Sequence, residues 1–234
     1  MYIIGITGPS GAGKTTALRV LEELGGEVYD CDAIYHEMLA SDGELLGRIE
    51  AAFPGAVQNY VLDRKALGAR VFADPEGLQR LTDITQPLVK RRVLERIRRS
   101  KGPSSVTSGD TFPRGERPAV SGQETSPLRS APLACCPLPA ASFAVIDAIG
   151  LFESGLAEEC DLTAAVVADP ELRLRRLMAR DGITEEYARA RIAAQKSAEW
   201  FAGRADLVLE NNGTEEEFAQ ICRDIFVQKL RTLL

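Results

Sequence analysis

Histidine is almost missing from this chain: among 234 residues only His36 occurs. A metal centre built on several histidines is therefore excluded. Cysteine is scarce and scattered. Cys31, Cys135, Cys136, Cys160 and Cys222 show no metal-ligand spacing, and their odd number gives no disulfide framework. That usage suits a reducing compartment, so a cytoplasmic protein is expected. No long apolar run is present either. Tyr2–Ile6 is far too short to cross a bilayer and lacks a basic flank, which predicts neither a membrane span nor a signal peptide. Positive charge is the minority sign: 28 Lys and Arg stand against 34 Asp and Glu, a net charge of −6. This balance argues against a general nucleic-acid or anionic-membrane binder, though not against a local basic pocket. An Asn-Lys-x-Asp motif, which a GTPase switch needs to read its base, is also missing, and no internal repeat is seen.

What remains is an ordinary globular composition, 45% hydrophobic and 26% charged, long enough for one sizeable α/β domain with insertions. Tyr2–Ile6 reads as a buried strand. Lys14–Leu24 reads as a helix, with Ala17, Leu18, Leu21 and Leu24 at helical spacing and Gly25-Gly26 as its stop. Glu27–Asp30 follows as a short strand. From about Ala33 to Arg99 the pattern is mostly helical, with breaks expected at Pro54-Gly55 and Pro87. Phe143–Asp147, Thr163–Ala168 and Asp206–Glu210 read as further strands. Strands alternating with helices predict a mainly parallel sheet covered on both faces. Residues 100–142 differ. They are rich in Pro, Ser, Gly and Thr without apolar period, so a flexible insertion is expected there. Cys135-Cys136 lies inside it and receives no role.

Gly8-Pro-Ser-Gly-Ala-Gly13-Lys14-Thr15 matches the Walker A pattern and falls where that pattern belongs, after a strand and before a helix. Glycines let successive N–H groups turn inward as an anion nest, and the helix starting near Lys14 adds its positive end. Gly11, Ala12, Gly13, Lys14, Thr15 and Thr16 are thus expected to hold the phosphates of ATP. Lys14 would reach the β- and γ-phosphates, and the Thr15 hydroxyl would ligate Mg²⁺. The loop alone names a nucleotide site, not a reaction.

Two further stretches suggest a small-molecule kinase. Asp30 and Asp32 lie at the carboxyl end of the second strand, where open α/β sheets place ligands. Asp32 reads equally as a general base for a hydroxyl acceptor or as the cap of the next helix. Asp169-Pro170 looks like the start of a helix carrying Arg173, Arg176 and Arg180 on one side and Leu174, Leu177 and Met178 on an apolar stripe. Those arginines fit either a solvated basic face or a phosphate clamp on a lid hinged at Gly182. A second helix starting at Thr184 would set Arg191 and Gln195 one turn apart.

Taken in order, GITGPSGAGKTT, DCD at 30–32, DRKALG at 63–68, DAIGLFESGL at 147–156, RLMARDGI at 176–183, RIAAQKS at 191–197 and VLENNGT at 208–214 resemble the dephospho-coenzyme A kinase family. The likeness spans nearly all of the chain outside 100–142. It implies a P-loop nucleoside-kinase-like three-layer α/β fold: a core of 1–35 and 143–234, a lid at about 173–200, and a helical acceptor-binding region at 36–99. It implies phosphorylation of the ribose 3′-hydroxyl of dephospho-coenzyme A by ATP, the last step of coenzyme A synthesis. Asp32 then aligns with the base, Arg176 and Arg180 with lid arginines, and Asn211 with a position near the adenine. Arg64 is a candidate for the acceptor's phosphates. Two departures stand out: Gln86-Pro87 replaces the family's usual His-Pro, and Ala148-Ile149-Gly150 replaces a proline and two leucines. Glutamine can still donate a hydrogen bond but carries no proton charge at neutral pH. The rival readings are a related kinase for another hydroxyl acceptor and a non-catalytic nucleotide-binding protein.

Overall fold

In a computed structural model, residues 1–100 and 143–233 are described. The expected insertion therefore lies, but for Ser100, outside the described residues. Five strands form one parallel sheet: β1 (Ile3–Thr7), β2 (Gly26–Asp30), β5 (Phe143–Asp147), β6 (Leu162–Val167) and β7 (Leu207–Glu210). Their spatial order is β2-β5-β1-β6-β7. The strand assignments from the sequence hold to within a residue or so.

The strands are apolar throughout because both faces are covered. Alternation along β5 shows it. Phe143 and Val145 face one layer, with Ile4, Ile6, Leu21, Phe218 and Phe226, under α1 (Lys14–Glu23) and α9 (Glu215–Leu233). Ala144 and Ile146 face the other, with Ile34, Leu45, Ile49, Val93 and Ile97. That second layer is built by α2 (Cys31–Ser41), α3 (Gly43–Ala52), α4 (Arg64–Ala73) and α5 (Pro75–Ser100). After β6 the chain forms α6 (Pro170–Asp181), α7 (Glu185–Ala193) and α8 (Ala198–Ala202). Leu174 and Leu177 are buried against Ala188, with Met178 beside them, so the apolar stripe expected on α6 packs it on α7. Among the described residues no helix is long and apolar enough to cross a membrane.

Two expectations fail in the segment between β2 and β5. Pro87 does not break the helix but sits inside the 26-residue α5. A mid-helix proline costs about 3 kcal/mol, through its missing N–H and the clash of its ring with the preceding turn. Leu88, Val93 and Ile97 are all buried just beyond it. Burying three such side chains contributes roughly 1.5–3 kcal/mol each, which outweighs the break. The second miss is a small hairpin, β3 (Val57–Gln58) and β4 (Val61–Leu62). Its turn residues Asn59 and Tyr60 have φ of 49° and 63°. That is the twist two-residue hairpins require, reached without the glycine that usually signals it.

The loop leaving β1 is fixed at its first glycine. Gly8 has φ of 138°, and a Cβ there would lie 2.1 Å from the Val166 carbonyl oxygen on the neighbouring strand. Gly8→Ala is expected to lower stability by about 3 kcal/mol, combining backbone strain with the clash. Urea unfolding checks this: the midpoint should fall while the slope stays constant.

Candidate active site

The ends of β1, β2 and β5 meet at the carboxyl edge of the sheet. Strand register places Asp30 beside Asp147 and Asp147 beside Ile6, just before the Gly8 loop. A cavity of about 660 Å³ opens there. Its walls include Gly11, Gly13, Lys14, Thr15, Asp30, Asp32, Asp147, Arg176, Arg180 and Arg191. Loop, acidic strand ends and the arginines of α6 and α7, far apart in sequence, are thus brought to one space.

The start of α1 is chemically open. Helices α2, α3, α4, α7 and α8 each begin with an Asp, Ser or Thr side chain accepting an early backbone N–H. Helix α1 begins on Gly13, at φ of 99°, with no side-chain cap. Its first residues, Lys14 and Thr15, line the cavity, and helix geometry gives their amides no acceptor within the helix. An anion is the natural partner for such a helix end. Not every residue expected in the cradle reaches it. Ala12 is fully buried; its N–H bonds to the Pro9 carbonyl and its own carbonyl accepts from Asn211. Thr16 turns its N–H back to Gly13 and does not line the cavity.

Lys14 points into this space and donates to the Gly8 carbonyl at 3.0 Å. Burial pushes its pKa below the ordinary value, while Asp147 and Asp32 pull it back up. Asp147, which ends β5, was not singled out from sequence as a site residue. Burial raises its pKa to about 6, opposed by Lys14 and reinforced by Asp30 and Asp32. The signal was available: an acid closing the strand next to β1 must face the loop's edge.

The two aspartates of the DCD stretch divide their tasks. Asp30 is the cap of α2, its Oδ1 accepting from Ala33 N at 3.0 Å. Asp32, in the first turn of α2, is left facing the cavity. The capping alternative for Asp32 is thereby settled in favour of its neighbour. Asp32 and Ile149 also line a second cavity of about 300 Å³, with Cys31, Tyr35, Leu81, Gln86, Val89 and Leu156 among its other walls. Arg64 lines neither cavity. It is exposed at the start of α4, close enough for its charge to act on the Tyr35 phenol.

The arginines of α6 also differ in environment. Arg180 bonds Asp181 through Nε and Nη2 at 2.6 and 2.9 Å, and Asp181 also accepts from Arg191 at 2.7 Å. One carboxylate therefore holds two guanidiniums of the cavity wall. Arg176 donates to the Asn211 carbonyl and to its side-chain oxygen. Asn211 is buried, and its amide donates to the Ala12 carbonyl at 2.9 Å. It braces the loop from behind rather than lining the cavity. A Cβ on Gly13 would lie 2.1 Å from the Asn211 Nδ2, so glycine is required there. Arg173 does not reach the cavity and is buried behind the loop. Gln195 lies beyond the end of α7, not on it.

The side-chain oxygen donors lining the first cavity include the hydroxyls of Ser10 and Thr15 and the carboxylates of Asp30, Asp32 and Asp147. Among the described residues no group of three or more His, Cys, Asp or Glu is poised around a metal. This donor set fits Mg²⁺, which keeps its waters and shares phosphate oxygens, rather than a metal caged by protein alone.

The raised pKa of Asp147 has a consequence for stability. Its charge is disfavoured in the fold, so its contribution is best below pH about 4 and is lost as pH rises to about 6. Asp147→Asn, compared with the parent in magnesium-free buffer, should gain relative stability across that window and hold the gain above it. Urea midpoints at pH 4 to 7.5 read this directly; a constant difference between the two proteins would contradict it.

A family model described as dephospho-CoA kinase matches residues 2–108 and 135–217. A dephospho-CoA kinase of Geobacter sulfurreducens is 32% identical over 98% of this chain and 99% of its own length. One from Deinococcus radiodurans is 36% identical over 91% of this chain and 85% of its own length. Among solved structures, the Thermus thermophilus protein TT1252 aligns with a TM-score of 0.67 at 30% identity, over 97% of both chains. The dephospho-CoA kinase of Campylobacter jejuni shares the fold, with a TM-score of 0.60 at 22% identity over 99% of this chain and 98% of that one. A match to the family's model on both sides of residues 109–134, with relatives a third identical almost end to end, establishes that this chain belongs to the dephospho-CoA kinase family.

Proposed function

We propose that the chain transfers the γ-phosphoryl group of ATP to the ribose 3′-hydroxyl of dephospho-coenzyme A, giving coenzyme A and ADP. The observation that carries this reading is the position of Asp32 on the walls of two cavities at once. One is lined by the phosphate-type loop and three arginines. The other is mainly apolar, with a few hydroxyls and an amide, as suits a nucleoside-like acceptor. A carboxylate shared by the two is where a proton must be taken when a hydroxyl on one side attacks a phosphorus on the other.

The steps follow from that placement. The loop amides and Lys14 hold the β- and γ-phosphates, with Gly11 and Gly13 permitting the close approach. Asp32 accepts the hydroxyl proton as the acceptor oxygen bonds to the γ-phosphorus, and the bond to the β,γ-bridging oxygen breaks. Arg176, Arg180 and Arg191 spread over the charge of the transferring group. Mg²⁺, which the Thr15 hydroxyl and Asp147 carboxylate would hold, neutralises phosphate charge when bound. Residues 36–99 act as the acceptor-binding region and about 173–200 as the lid, whose closure excludes water. Gln86 orients the acceptor as a neutral hydrogen-bonding group. The acceptor's own diphosphate extends beyond a chamber of this size, and the exposed Arg64 near Tyr35 is the cation proposed to meet it.

Lys14→Ala is expected to abolish phosphoryl transfer. Asp32→Ala should lower kcat by roughly 10²–10⁴-fold while leaving ATP affinity within about threefold. A coupled ADP-release assay with dephospho-coenzyme A, beside calorimetric ATP binding, measures both. Full activity in Asp32→Ala would remove Asp32 from the reaction.

A further inference from the structure

Behind the loop lies a second polar arrangement that the mechanism above does not use. Arg173 is 4% exposed. Its Nε donates to the Ser10 carbonyl at 3.0 Å, and its Nη2 donates to the Gln195 Oε1 at 2.8 Å. Gln195 completes the circuit: Oε1 accepts from Ser10 N at 3.1 Å, and Nε2 donates to Ser10 Oγ at 2.8 Å. Every partner in this circuit is neutral. Among the described residues no carboxylate forms an ion pair with Arg173, whereas Arg180, Arg189 and Arg191 of the same lid all have one.

A buried guanidinium without a counter-charge is expensive, because the desolvation it suffers is offset only by neutral hydrogen bonds. Charges of this kind are normally paired. Asp169, Glu199 and Glu210 share a groove with Arg173, but none of them is ion-paired with it; its guanidinium bonds the cradle loop itself, at the Ser10 carbonyl. The Arg173 carbonyl is so close to the loop that a Cβ on Gly11 would lie 3.0 Å from it. The charge of Arg173 also reaches Lys14, whose pKa it helps to lower. Yet Arg173 and Gln195 line a separate groove, not the cradle cavity. The cation thus acts on the cradle from behind the backbone.

We infer that Arg173, held by Gln195 and Ser10, is a fixed positive charge placed behind the loop to await polyphosphate, and that Gln195 is kept neutral so that this charge stays uncompensated. Arg173 and Gln195 are positioning residues: they touch neither ATP nor acceptor. They tie the lid to Ser10 and lend the loop a positive potential that only an anionic ligand satisfies. The inference rests on the cradle's being a polyphosphate site.

Gln195→Glu tests it with little change of shape. The carboxylate retains the acceptor for Arg173 and Ser10 N, and the Ser10 hydroxyl rotates to donate in place of accepting. A structural brace would be preserved or strengthened by the new ion pair. A primed cation would be neutralised. The expected result is a Kd for ATP about tenfold weaker, from one added negative charge near the phosphates, with a thermal midpoint no lower than that of the parent. An unchanged Kd overturns the inference, and so does a weaker Kd accompanied by a lower midpoint, which would mean the loop had simply been disturbed. Arg173→Lys and Arg173→Gln give an independent reading. The lysine variant should bind ATP within about threefold of the parent and the glutamine variant about tenfold more weakly; equal losses overturn it. ATP binding by the parent protein, measured alongside, checks the polyphosphate reading separately.

Discussion

The structure turns on one constraint: a backbone segment must present its amides to empty space without collapsing onto them. Between β1 and α1 the chain achieves this by surrounding the loop on the sides that do not face the cavity. Gly8 lies against the Val166 carbonyl, Gly11 against α6, and Gly13 against Asn211. A Cβ would clash at Gly8 and Gly13 and be tight at Gly11, and each of the three glycines has a positive φ. Glycine here serves rigidity as much as freedom. The loop is permissive in isolation and fixed in place by its neighbours, and the helix it feeds is left without a side-chain cap so that a ligand can supply one.

Charge is distributed around this loop in two shells with different rules. Toward the cavity, Lys14 is set against Asp147 and Asp32: both carboxylates oppose the lowering of the Lys14 pKa by burial, and Lys14 opposes the rise at Asp147. The arginines of α6 and α7 on that side are held in place by Asp181 and Asn211. Behind the loop, Arg173 has only neutral partners. An overall acidic protein thereby gathers Lys14, Arg176, Arg180 and Arg191 around one concave site, together with the carboxylates of Asp30, Asp32 and Asp147.

Much of this was legible from local patterns, and the failures share a cause. Strands and the main helices follow from apolar runs and spacing that depend on a residue's near neighbours. The Gly8–Thr15 loop is legible because its chemistry is contiguous. Pro87 was misread because a local penalty was weighed without the burial of Leu88, Val93 and Ile97 that outweighs it. The hairpin at Asn59-Tyr60 was missed because its turn lacks glycine. At the site, Asp30 and Asp32 look equivalent in sequence, and only the turn of α2 assigns the cap to one and the cavity to the other. Asp147, Arg173 and Gln195 acquire meaning through contacts with residues more than a hundred positions away, which spacing along the chain does not encode.

If the loop and Asp32 serve two substrates as proposed, the phosphoryl group passes directly from one to the other. Phosphorus NMR of the protein with ATP, Mg²⁺ and dephospho-coenzyme A tests it most directly. The γ-phosphate signal should be replaced by one new phosphomonoester on the ribose 3′ oxygen, in equal amount to ADP. Appearance of inorganic phosphate beside an unmodified acceptor would contradict it.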